Sequence, residues 1–155
     1  MMNLFANFLS KFREIFVPSH LSLEFRAKSF AAVIATSKNI KPQTWDVLAQ
    51  VAKDIYPNDK SRQAVLVQTS KEYTERVLKN AMSLDSLLKN IAFLLKTHPR
   101  YAQKINFDKL KLFLEQNEED SLIQQRVIEF FEQEVGYIIE KDQNKETPNK
   151  ISVSY

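Results

Sequence analysis

The residues of this chain that could do chemistry are few and far apart. His20 and His98 are separated by most of a domain's length. No HExxH, His-x-x-His or Glu-x-x-His spacing brings a second ligand to either. His98 precedes Pro99 at a helix end, where it can bond a free carbonyl or meet the helix dipole. The acidic cluster Glu118, Glu119 and Asp120 has the right chemistry for a hard cation. It lacks the alternating ligands and central glycine of an EF-hand loop, and reads as the charged start of a helix. Serines are plentiful but none sits in a strand–elbow–helix signature. The chain has no cysteine, which excludes disulfides, thiolate zinc sites and a cysteine nucleophile. The reading is therefore non-enzymatic, with no catalytic residue, metal or cofactor assigned.

Two groups of residues are suited to contact rather than catalysis. Phe5, Phe8, Phe12 and Phe16 fall on one face of the opening segment MMNLFANFLSKFREIF, with Leu4, Leu9 and Ile15, while Asn3, Ser10 and Glu14 lie opposite. Such a stripe can pack on its own bundle, enter a membrane interface or seat in a partner's groove. Its basic residues are Lys11 and Arg13, fewer than a strong interfacial helix carries. The second group is Lys96, Arg100, Lys104, Lys109 and Lys111 around Tyr101, a loop–helix patch that can meet phosphates. Asp108 and Glu115 interleave with it, and the formal net charge of the chain is only +3. A nucleic-acid-binding accessory protein is thus the alternative to a protein- or membrane-contact module.

The elements that must position these residues are helices. One glycine, Gly136, serves all 155 residues. Hairpin corners and phosphate-binding loops, which rely on glycine, are correspondingly excluded. Proline, asparagine and serine supply the punctuation at Pro18, Pro42, Asn58, Ser83, Pro99 and Asn106. Val17-Pro18 is expected to end the opening helix. A second helix, capped by Ser19 or Ser22, then runs to about Ser37 with Leu21, Phe25, Phe30, Ala31 and Ile34 inside.

Four further helices follow with Trp45, Leu48, Val51, Ala52 and Ile55; Val65, Leu66, Thr69, Tyr73, Val77 and Leu78; Leu84, Leu87, Leu88, Ile91, Leu94 and Leu95; and Phe107, Leu110, Phe113 and Leu114. The last helix, to about Glu140, carries Leu122, Ile123, Val127, Ile128, Phe130, Phe131, Val135, Ile138 and Ile139. Gly136 lies inside that pattern and marks an expected close helix contact. The organisation is an amphipathic segment at 1–17, a helical domain at 18–140 and a polar, flexible tail at 141–155. The fold class is all-α, a compact bundle of six to seven helices. No apolar run reaches transmembrane length and no secretory leader is evident, so a cytoplasmic location is expected, with peripheral inner-membrane contact through the first segment.

The stretch FAAVIATSKNIKPQTWDVLAQVAKDIYPNDKSRQAVLVQTSKEY, residues 30–73, resembles the TerB-like helical fold of tellurite-resistance proteins and of DjlA-type co-chaperones. The shared pattern is an alanine-rich helix, a short break, the turn Lys41-Pro42-Gln43-Thr44, a second helix, and Asn58-Asp59 opening a third. Residues 87–114 supply the remaining helix pair of that fold. The family's break commonly reads Asp-Gly, followed by an acid linked to metal binding. Lys38-Asn39 and Thr44-Trp45 stand there in this chain, so the resemblance transfers no metal site. It implies an all-helical bacterial regulatory or stress-related module that works through contacts.

Overall fold

The computed structural model describes residues 17–151, and the side chains of 21–144 within that span. The stripe Phe5, Phe8, Phe12 and Phe16 lies outside the described residues. The described chain is all-α, in the order α1 (Val17–Ile34), α2 (Pro42–Ile55), α3 (Lys60–Leu78), α4 (Leu84–Thr97), a 3-10 helix (Pro99–Lys104), α5 (Phe107–Lys111) and α6 (Glu118–Ile151). No strand occurs among the described residues.

The bundle is organised around α1. Leu23, Phe25, Ala27, Ser29 and every residue from Phe30 to Ile34 are buried, so the second half of this helix hides its whole circumference. A helix apolar on all sides needs neighbours on all sides. α3, α4, α6 and the 3-10 helix all pack against α1, while α2 packs on α3. Aromatic rings close two of these seams: Phe25 lies 5.0 Å from Tyr101 of the 3-10 helix, and Phe30 lies 5.6 Å, edge-on, from Phe113.

Helix boundaries follow the expected punctuation. Pro42 opens α2, where its missing N–H is one the helix would leave unbonded. Asp59, Ser83 and Asn106 cap α3, α4 and α5 by accepting from the backbone N–H of Arg62, Ser86 and Lys109. The two left-handed backbone positions among the described residues are Asn58 (φ 63°) and Asn80 (φ 58°), asparagine standing where glycine is usual.

Several expectations are corrected. Val17 and Pro18 are helical, so Ser19 and Ser22 lie inside α1 and neither caps it, while the expected end of the opening helix lies outside the described residues. α1 stops at Ile34 rather than Ser37. Leu21, Leu78, Leu122, Ile123 and Ile139 are exposed, because they stand at helix ends or beside, not on, the α6 stripe Gln124, Val127, Phe131, Val135, Ile138. The last helix runs past Glu140 to Ile151 instead of yielding to a flexible tail at 141. Glutamate, lysine and glutamine propagate a helix without needing an apolar face. Gly136 makes no close contact: a Cβ placed there meets nothing within 4 Å, and its φ is not positive.

Gln124 is a feature the apolar periodicity does not reveal. It is fully buried, its Nε2 donates to the carbonyls of Val33 (3.3 Å) and Phe113 (2.9 Å), and its Oε1 accepts from the N–H of Glu115 (2.7 Å). One side chain therefore joins the end of α1, the end of the α5 region and α6. Replacing Gln124 with Leu should cost about 2–4 kcal/mol, because buried backbone groups lose partners. Gly136→Ala should stabilise by about 1 kcal/mol through helix propensity alone. Urea unfolding of the two variants checks both, and a destabilised Gly136→Ala would mean that the open space at that position is filled.

Candidate functional surfaces

The five basic residues of the candidate patch do not form one anionic-ligand surface. Lys109 on α5 is half-buried, and its Nζ lies 2.8 Å from Asp54 Oδ2 of α2, an ion pair that ties the two helices together. That contact, with a further hydrogen bond from Gln50, holds the Asp54 carboxyl below its ordinary range. Arg100 lies 5.6 Å over the ring of Tyr101, and Lys104 is half-buried at the end of the same 3-10 helix. Lys111 is exposed at the end of α5.

Lys96 lines a groove of about 550 Å3 between the end of α4 and α6. Pro99, Glu134, Tyr137, Ile138, Lys141 and Asp142 share that lining. Two ammonium groups and two carboxylates give the groove mixed charge, which suits a polar peptide face better than a polyanion. Tyr137 is 55% exposed there, an aromatic with one apolar face and one wet end. The 134/138 and 137/141 spacings of α6 put these residues on adjacent rows. Sequence reading missed the groove because it took Lys141 and Asp142 as tail.

His98 ends α4, as expected from its place before Pro99. Its backbone N–H, rather than its ring, donates to the Leu94 carbonyl. The imidazole stacks on Tyr101 at 4.9 Å, and its Nδ1 lies 2.9 Å from Thr97 Oγ1. Asp120 is buried at the start of α6, while Glu119 reaches Lys38 at 3.3 Å across the gap to the α1–α2 connection. Among the described residues, no group of three or more His, Asp or Glu side chains is arranged to hold a metal.

A cluster of titratable groups around Tyr73 was not singled out by any motif. Tyr73 of α3 donates its hydroxyl hydrogen to Glu24 Oε1 of α1 at 2.6 Å. Lys28 Nζ lies 5.5 Å over the Tyr73 ring and donates to Asn90 Oδ1 of α4 at 2.7 Å, while Arg76 lies 5.0 Å over that ring. Burial pushes the Lys28 ammonium below the ordinary lysine value, Glu24 opposes the shift and Arg76 adds to it. A spacing of four between residues 24 and 28 was the available signal, but it identifies a surface pair on any helix. The partners come from two other helices and are invisible to it.

Nothing in these contacts brings a nucleophile to a base over a free reacting position; the cluster fastens α1 to α3 and α4. No known family model matches the chain, and neither the curated proteins nor the solved structures contain a match to it. No helix among the described residues is long and apolar enough to cross a membrane.

The depressed Lys28 value fixes a sign. Its contribution to stability is present above the ordinary lysine value of 10.5 and is lost as pH falls through the folded value. Between the two, the unfolded chain binds more protons, so stability rises with pH. Urea unfolding across the alkaline range should show a shallower rise for Lys28→Met, with no loss of stability at neutral pH. Equal slopes in parent and variant would mean that the ammonium is not desolvated.

Proposed function

We propose that this chain is a non-enzymatic helical interaction module that acts through protein or membrane-surface contacts of its N-terminal apolar stripe. The observation that carries the reading is the run Phe5, Phe8, Phe12 and Phe16, with no proline, glycine or polar linker between it and Val17. α1 follows directly, and it is the helix around which the core is built. The resemblance of residues 30–73 to the TerB-like fold supports a stress-related regulatory setting for such contacts.

The nucleic-acid alternative gains less support, since Lys109 is engaged by Asp54 and Lys96 shares a groove with Glu134 and Asp142. The test is deletion of residues 1–17. The truncated protein should keep its helical circular dichroism and cooperative unfolding, yet lose binding to liposomes or to a partner retained by the full chain. Unfolding on truncation would assign the stripe to the core and end the proposal. Retention of the full chain on an anionic polymer, falling steeply with salt, would favour the alternative.

A further inference from the structure

We propose that the groove between α2 and α3 is a docking site for an acidic, amphipathic segment of a partner protein. The groove has a volume of about 360 Å3 and is lined by Ala49, Lys53, Lys60, Ala64, Val67 and Gln68, among others. Val67 is half-buried and packs on the core, so the floor is apolar. The short side chains of Ala49 and Ala64 leave room for incoming ones. Helical spacing extends the two rows to Trp45 on α2 and Lys71 on α3. These two residues meet, with Lys71 Nζ 5.4 Å over the indole ring. An aromatic end, a small-residue centre and a basic rim therefore run along one seam.

Charge identifies the occupant. No carboxylate lines the groove. Of the acids that flank it in sequence, Asp54 is engaged by Lys109 at 2.8 Å and Asp59 by Arg62 at 3.1 Å, while Asp46, exposed on α2, is outside the lining. Lys53 and Lys60 are exposed and, among the described residues, pair with no carboxylate. A net positive rim over an apolar floor complements a helix or strand with apolar anchors flanked by aspartate or glutamate. A nucleic acid would call for exposed stacking rings and a longer basic track, which alanine and valine do not provide. The inference rests on the reading of this chain as a contact module but not on the N-terminal stripe, so the truncation test and the following one can fail separately.

Trp45 is the chain's one tryptophan, which makes its fluorescence a reporter for this seam. The full-length protein is titrated with a synthetic helix-forming peptide carrying leucine on one face and glutamate on the other. The expected result is a saturable change in Trp45 emission. A lysine-for-glutamate version of the peptide should give none. Double substitution Lys53→Glu and Lys60→Glu should weaken binding about tenfold, as expected for the loss of two exposed charge contacts and their reversal. Ala64→Leu should block the groove while leaving the circular dichroism of the protein unchanged. No saturable change with the acidic peptide would overturn the proposal, as would undiminished binding by the charge-reversed or Ala64→Leu protein. An equal, Lys53- and Lys60-dependent response to a single-stranded oligonucleotide would reassign the groove and overturn it too.

Discussion

A helix buried around its whole circumference cannot leave its last carbonyls to water, and this constraint shapes the rest of the bundle. α1 meets it with borrowed groups. The Val33 carbonyl accepts from Thr36 Oγ1 at 2.8 Å and from Gln124 Nε2 of α6 at 3.3 Å. Just beyond, Ser37 donates to Glu115 Oε1 at 3.1 Å, and Lys38 pairs with Glu119. The connection after α1 and the connection before α6 thus form one joint. Each of its hydrogen bonds contributes about 1 kcal/mol net, but losing a partner inside the joint costs more than a bond contributes.

Along the middle of α1, the attachment is electrostatic and aromatic rather than backbone-directed. Glu24 and Lys28 reach Tyr73 and Asn90, while Phe25 stacks near Tyr101. Lys28 is held there against its own desolvation, which its long aliphatic stem and its seat over the Tyr73 ring partly offset. The middle and the end of the same helix are therefore fastened by different physics.

Local signals made most of the fold legible. Caps at Asp59, Ser83 and Asn106 and the proline start of α2 are backbone chemistry written in single residues. Apolar periodicity found Leu48, Val51, Leu87, Ile91, Leu95, Phe131 and Val135 because each of those helices buries one face. It faltered where that premise fails. The last turns of α1 bury every face, so Ala32 and Val33 were not picked out, nor were Leu23 and Ala27, whereas Leu21 and Leu78 were assigned inward on hydrophobicity alone. The candidate surfaces were less legible for a related reason. Gln124, the Tyr73 cluster and both grooves are built from side chains on separate helices, and the separation between Gln124 and Val33 is 91 residues. The end of α6 was misjudged because a polar composition was equated with a lack of helix, although propensity and burial are separate quantities.

That 91-residue span also has a consequence for how the protein is made. During synthesis the chain emerges from its N-terminus, so α1 is available long before Gln124 exists. Until α6 arrives, one side of this helix stands open and the Val33 carbonyl has only its local Thr36 partner. α1, α3 and α4 can gather early, since they follow one another and share the Tyr73 cluster. The last seam closes only after the chain is nearly complete. Partly made or C-terminally shortened copies therefore present a wide hydrophobic face, the kind of surface that invites aggregation or chaperone capture.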